Sequence, residues 1–330
     1  MAARLIRSPR SCCRRLFPLA CRFPTATARP PASPFATIGG ARKAASEEQG
    51  GCMPDEVEVP RRLDFLCIGA KKAGTTWLYD QLRQHPRVWL PPVKELNVFN
   101  DTGLYARDVG RLDRRRDEIA AMRRDGRFGP RDDRFLDAYL GPGAGALDWY
   151  LDLFAESDGR CAGDIDPNVY ALYRRMLSRL AQANPELKLI CLLRNPTERS
   201  WSHACMLARL RQVTTMSMQQ LLAELEGPGI ADFSRYRQAI ADLRQTFPPA
   251  RLLFLAFDDI VHDPAGLLRR VWDFLAIGDA AMPASLAVRS NVGHTVPMPP
   301  QARALLDALH GADLASALET LGVAAERLRL

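Results

Sequence analysis

No acidic residue precedes Glu47, no cysteine follows Cys205, and no apolar run is long enough to cross a bilayer. The missing acids make residues 1–52 a basic tract, with nine Arg and Lys side chains against Glu47 and Glu48. That imbalance equals the formal charge of the whole chain, +7, so the remainder is balanced at 36 charges of each sign. A balanced body needs no nucleic acid to account for the basic composition. Metal-ligand spacings of Cys and His are absent too, which leaves no basis for a metal centre. Four of the eight cysteines (Cys12, Cys13, Cys21, Cys52) fall in the tract. The others, Cys67, Cys161, Cys191 and Cys205, sit mostly within or beside apolar runs, as reduced buried thiols do, and a reducing compartment is expected.

The tract is rich in Pro, Ser and Ala and cannot bury enough apolar surface to fold. We expect residues 1–58 to be a disordered leader and residues 59–330 to form the domain. An Arg-rich, acid-poor leader is also the composition of an organelle transit peptide. Met53, which opens a segment running directly into the fold, offers a second start. A cytoplasmic location is expected, with organelle targeting by the leader as the alternative. Oligomeric state is open.

The remaining chain is organised around Asp64–Gln84. Phe65–Ile68 is an apolar run long enough for one buried strand, and Gly69–Thr76 is a turn of glycine, lysine and hydroxyls. Trp77, Leu78 and Leu82 then recur at helical spacing. A strand, a small-residue loop and a helix start gather backbone N–H groups at the positive end of a helix dipole, where an anion binds. Gly69 and Gly74 fit the spacing of a Walker loop, but Thr75 stands at its lysine position and lysine comes earlier, at Lys72. This departure counts against an ordinary nucleoside-triphosphate site.

Further strand candidates at Val88–Leu90, Leu187–Leu193 and Leu252–Phe257, with Cys161–Pro167 as strand then turn, alternate with helical patterns. The alternation predicts an α/β fold of three layers: a central, mostly parallel sheet with helices on both faces and a P-loop-like phosphosulfate-binding loop. Ligands of such sheets sit beyond the C-terminal strand ends, where the Lys72 loop and Arg194 both fall. The arginine-dense stretch 101–135 reads as a solvated helix or as a lid over substrate.

GAKKAGTTW, residues 69–77, resembles the G-x-x-K-x-G-T-T loop of sulfotransferases that use 3′-phosphoadenosine-5′-phosphosulfate (PAPS). By that resemblance Lys72 meets the bridging oxygen, the loop Lys72-Ala73-Gly74-Thr75-Thr76 holds the 5′-phosphate, and Trp77 stacks on adenine. LLRNPTERSWSH, residues 192–203, resembles the segment in which an arginine and a serine eight residues on grip the 3′-phosphate; here these are Arg194 and Ser202. KELNVFN, residues 94–100, resembles the K-E-x-x-F-F segment of carbohydrate-type members, whose glutamate is the base, and Glu95 takes that position. His85, His203 and His294 are the competing bases. GDIDPNVY resembles G-E-x-[ST]-P-x-Y of the same enzymes, with Ile165 where some carry lysine and Asp166 where they carry serine or threonine. Arg289 opens what resembles the late loop that closes over the nucleotide. Several animal relatives brace that region with a disulfide, which this chain has no cysteine to form.

The resemblance covers about residues 62–322 and is closest to bacterial and heparan-sulfate or carbohydrate-type members. It implies in-line transfer of a sulfuryl group from PAPS to a hydroxyl, or less readily an amine, of a carbohydrate, lipid or small metabolite, without a metal. A P-loop nucleotide kinase and a non-catalytic nucleotide-binding relative are the alternatives.

Overall fold

The computed structural model describes residues 63–98, 109–141, 147–169, 174–213, 216–288 and 296–329. The basic leader, Phe99, Arg289 and His294 lie outside the described residues. In chain order, β1 (Phe65–Gly69) is followed by α1 (Thr75–Leu82), β2 (Val88–Trp89), α2 (Val109–Arg124), α3 (Pro130–Leu140), α4 (Leu147–Asp152) and β3 (Cys161–Ile165). Next come α5 (Arg174–Ala183), β4 (Lys188–Leu193), α6 (Pro196–Leu210), α7 (Met218–Glu226), α8 (Pro228–Ala231) and α9 (Tyr236–Thr246). The chain continues with β5 (Leu252–Ala256), α10 (Asp259–His262), α11 (Pro264–Leu275) and α12 (Pro300–Leu321). Where described, the arginine-dense stretch forms α2 and the start of α3, joined by a turn at 125–129.

The five strands form one sheet in the order β2-β3-β1-β4-β5, and every pairing is parallel. Parallel strands covered by helices are buried on both faces, and their sequences read as unbroken apolar runs. β1 is buried throughout and β4 everywhere but its first residue. Gly163 in β3 is a consequence of this packing: a Cβ there would collide with the Phe65 ring in the neighbouring strand.

β1 is central, with β3 on one side and β4 on the other. The connections leave it in opposite directions, so a crevice opens at its C-terminal end. The pairing of β1 with β4 slips by one residue between Cys67 and Gly69. A bulge of this kind bends the strand just where the loop begins. α6 starts at the C-terminal end of β4 with an N-cap legible in its sequence. Asn195 accepts from the Thr197 and Glu198 amides at 3.0 and 3.3 Å, and Pro196 fills the first turn. A smaller apolar cluster of Trp201, Ala204, Leu225, Ile230, Ala302 and Leu306 fastens α6 to α7, α8 and α12. Among the described residues, no helix is long and apolar enough to cross a membrane.

Candidate active site

Gly74, the N-cap of α1, has φ +83°. That region favours glycine, and a Cβ at this position would also run into Ile260 Cδ1. Gly74 has no side chain with which to cap α1, and the positive end of the helix dipole faces the loop. Lys72, also in the left-handed region at φ 67°, carries its ammonium into this positive field. Its pKa is lowered by burial and then by the nearby cations Arg194, Arg209, Lys71 and Lys94. Four neighbouring cations oppose one ammonium, and such a field favours an anion.

Arg194, at the end of β4, donates from Nη1 to the carbonyl of Lys72 at 2.9 Å, and its guanidinium lies over the Phe257 ring at 4.6 Å. Burial lowers its pKa as well. The two residues expected to address opposite ends of the nucleotide are therefore neighbours, the guanidinium of one bonded to the backbone carbonyl of the other. Ser202 is half-buried on α6, two turns beyond Arg194. Arg209 follows on the same face of that helix after another two turns, and its effect on Lys72 shows that it belongs to the same field. Its seven-residue spacing from Ser202 was the signal available in the sequence.

Trp77 departs from the expectation of adenine stacking. Its ring is 3% exposed, within the main core, and Nε1 donates to the Leu286 carbonyl at 3.1 Å. A ring enclosed in this way has no open face for a purine. Its position two residues into α1 turns it toward the core side, together with Leu78.

On the other side of β1 lies the segment Leu90–Asn97, which belongs to neither helix nor strand. Lys94 bridges the two halves of the site: Nζ donates to Thr75 Oγ1 at 3.2 Å and pairs with Glu95 Oε1 at 2.6 Å. Burial alone would raise the pKa of Glu95, but Lys94, Lys71 and Arg115 outweigh it and hold the carboxyl below its ordinary value. Glu95 is thus ionised at neutral pH, beside the Lys72 loop. Glu95 and Asn97 both have left-handed backbones, φ 60° and 56°. Each such residue costs roughly 1–2 kcal/mol, so the surroundings must enforce the shape.

Much of that enforcement comes from Gly163–Asn168. Asp166 accepts from the Asn97 amide at 2.9 Å and the Asn168 amide at 3.1 Å. Asn168 accepts from Lys71 Nζ at 2.8 Å and donates to Asn97 Oδ1 at 2.9 Å. Asp164, beneath them, accepts from the Tyr150 hydroxyl at 3.0 Å. Burial raises the pKa of both aspartates, with Asp166 adding to the effect on Asp164 and Glu95 to that on Asp166. The aspartate found in place of serine or threonine thus has a structural task here, holding Asn97 and Asn168.

The competing histidines are placed differently. His85 accepts from the Arg87 amide at Nδ1, 3.2 Å, which leaves Nε2 to donate to the Gly278 carbonyl at 3.1 Å. Both nitrogens are occupied. His203 lies beside Arg199, and burial followed by that cation pushes its pKa down to about 2. Arg199 is fully buried and donates to Ser200, Ser234 and the Ile230 carbonyl, so it holds the α6–α8 region together. Among the described residues, no group of three or more His, Cys, Asp or Glu is placed to hold a metal ion.

Residues 64–280 match the family model described as Sulfotransferase family, and the chain belongs to that family. It is 26% identical over 220 residues to heparan sulfate glucosamine 3-O-sulfotransferase 3A1 of Mus musculus, which covers 64% of this chain and 45% of that protein. To heparan sulfate glucosamine 3-O-sulfotransferase 3B1 of Homo sapiens it is 25% identical over 272 residues, 75% of this chain and 58% of the relative. The chain thus spans about half the length of the curated relatives it matches. Among solved structures, a sulfotransferase from Alicyclobacillus acidocaldarius shares the fold with a TM-score of 0.58 and 22% identity, over 82% of this chain and 99% of that one.

Proposed function

We propose that this chain transfers a sulfuryl group from PAPS to a hydroxyl of a carbohydrate-type acceptor. The observation that carries the reading is the meeting of Lys72 and Arg194 at adjacent strand ends, joined by the 2.9 Å bond. An anion-binding loop alone would suit many nucleotides. A second, buried guanidinium beside it suits a nucleotide with a further phosphate.

The residues present fit such a donor. The open first turn of α1, with Gly74, Thr75 and Thr76, would hold the 5′-phosphate, and Arg194 with Ser202 the 3′-phosphate. Lys72 would neutralise the oxygen from which the sulfuryl group departs. PAPS supplies that group and leaves as 3′,5′-adenosine bisphosphate. Glu95, ionised and next to the loop, would take the proton of the acceptor hydroxyl as its oxygen bonds to sulfur. The protein's share is to place the reactants and to stabilise developing charge, by analogy with phosphoryl transfer. A carbohydrate acceptor is supported by the names of the two relatives and by the KELN segment.

Calorimetry with 3′,5′-adenosine bisphosphate and with 5′-AMP tests the donor site, and marked preference for the bisphosphate is expected. Transfer from sulfur-labelled PAPS to N-sulfated heparan, and to a panel of other sugars and alcohols, tests the acceptor class. Equal binding of both nucleotides would overturn the reading.

A further inference from the structure

Leu90–Asn97 contains the proposed base but has no ladder or helix to satisfy its backbone, so each peptide group there needs another partner. Side chains supply several. The Tyr79 hydroxyl donates to the Pro91 carbonyl at 2.7 Å. Arg115, on α2, donates from Nη2 to the Lys94 carbonyl at 2.6 Å and to the Glu95 carbonyl at 3.3 Å. Tyr139, on α3, donates its hydroxyl to the next carbonyl, Leu96, at 2.7 Å. Three successive carbonyls around the base are therefore gripped by two side chains of one helix pair.

We infer that Arg115 and Tyr139 are positioning residues: the α2–α3 pair holds Glu95 in its left-handed conformation and so aims its carboxylate at the acceptor. The inference rests on the proposed role of Glu95. It does not need α2 to touch substrate, and Arg115 is engaged with backbone carbonyls rather than solvated.

The geometry favours this role over a general stabilising one. Arg115 spends its guanidinium on backbone carbonyls, with Glu118 Oε2 at 3.2 Å from Nη1 to orient it. A guanidinium can reach two carbonyls from one nitrogen edge in fixed directions, whereas an ammonium has no such fork. Tyr139 is 3% exposed, and its hydroxyl lies against Arg115, so the two grips are coupled. Two further anchors are Asp166 on the Asn97 amide and, within the segment, Asn97 Nδ2 on the Glu95 carbonyl at 2.6 Å. Neither of them touches the Lys94 or Leu96 carbonyl. The charged groups facing Glu95 are Lys94, Lys71 and Arg115 among the cations, and Asp164 and Asp166 among the anions.

The test uses the full chain and its Arg115→Ala, Arg115→Lys and Tyr139→Phe variants. Amide hydrogen exchange at Leu96–Val98 is expected to rise tenfold or more in Arg115→Ala and several-fold in Tyr139→Phe, while exchange at Gly74–Trp77 stays unchanged. The Glu95 carboxyl, followed by carbon-13 NMR, is expected to titrate at higher pH in Arg115→Ala than in the parent chain, with Arg115→Lys between them. Tyr139→Phe keeps the packed ring and so reports the hydrogen bond even if Arg115→Ala folds poorly. Unchanged exchange at Leu96–Val98 in both Arg115→Ala and Tyr139→Phe would overturn the positioning role. Binding of 3′,5′-adenosine bisphosphate is the separate control, expected to vary less than twofold among these proteins. Its absence in the parent chain would instead reject the sulfotransferase reading and leave the exchange result standing as structure.

Discussion

Arg194 holds the carbonyl of Lys72 from the neighbouring strand end, 2.9 Å away, although the two are 122 residues apart in the chain. One bond thus joins the lysine loop to the start of α6. Arg194→Ala removes both the proposed phosphate contact and this support of the loop. Of the two losses the bond to a charged phosphate weighs more, at about 1.5–3 kcal/mol. Affinity for 3′,5′-adenosine bisphosphate should fall roughly ten- to hundredfold. Affinity for 5′-AMP should fall much less, since it lacks the phosphate concerned. Calorimetry with both nucleotides checks the difference; equal losses would confine Arg194 to holding the loop.

Gly74 predicts a stability effect that needs no substrate. With φ at +83°, an alanine there is strained by about 1–2 kcal/mol. The added Cβ would also meet Ile260 Cδ1, which is the end of a flexible side chain and can turn aside, and Phe257 Cδ2 at 3.2 Å. Gly74→Ala should therefore lower stability by roughly 1–3 kcal/mol in urea unfolding. Adding Ile260→Ala should not restore it, because the backbone strain persists. Full restoration by the double variant would show that contact, not conformation, demands glycine here.

The β1–loop–α1 unit was legible because its signal is local: an apolar run, glycines at the turn, then helical spacing, all within one short stretch of chain. The entry to α6 was legible for the same reason, as Asn195 and Pro196 act on amides two or three residues away. Trp77 reads differently in sequence and structure, since the loop next to it has the pattern of a ligand site while the face of α1 on which it falls is set by packing. Arg115 and Arg199 were hidden for a related reason. An arginine among charges reads as solvated, and only tertiary packing shows that one grips the carbonyls of Lys94 and Glu95 and the other is sealed among serines. Neither contact is a pattern along the chain.

Asp164 makes stability depend on pH. Its folded pKa is raised above the ordinary 3.8 by burial and by Asp166, so folding favours the protonated carboxyl. The associated stability is present in full below that ordinary value and is lost as pH rises toward neutrality through the raised one. Asp164→Asn keeps an acceptor for the Tyr150 hydroxyl but cannot ionise. The variant should gain on the parent chain steadily between about pH 4 and pH 8, by more than about 1 kcal/mol for each unit of raised pKa. Urea midpoints across that range decide it, and parallel curves for the two proteins would refute the buried ionisation.

Glu95 and His203 are separated by their variants rather than by pH alone. Lys94, Lys71 and Arg115 overcome the effect of burial and keep the Glu95 carboxyl below its usual 4.5, so it is ionised throughout the neutral range. If it is the base, kcat should be level from about pH 5 upward as far as this group is concerned and should drop only below that. Glu95→Gln should cut kcat by about 10²–10⁴. The affinity for 3′,5′-adenosine bisphosphate should be kept, because the amide retains the side chain's size and Lys94 keeps its bond to Thr75. A histidine base of ordinary pKa would impose an acid limb near about 6.5. His203, pushed down to about 2 by burial and Arg199, is neutral over the whole working range and would give no such limb either. The decisive comparison is therefore the variant pair: His203→Gln should retain most turnover and Glu95→Gln almost none. The reverse ranking, measured with labelled PAPS and any acceptor the parent chain uses, would move the proton transfer to α6.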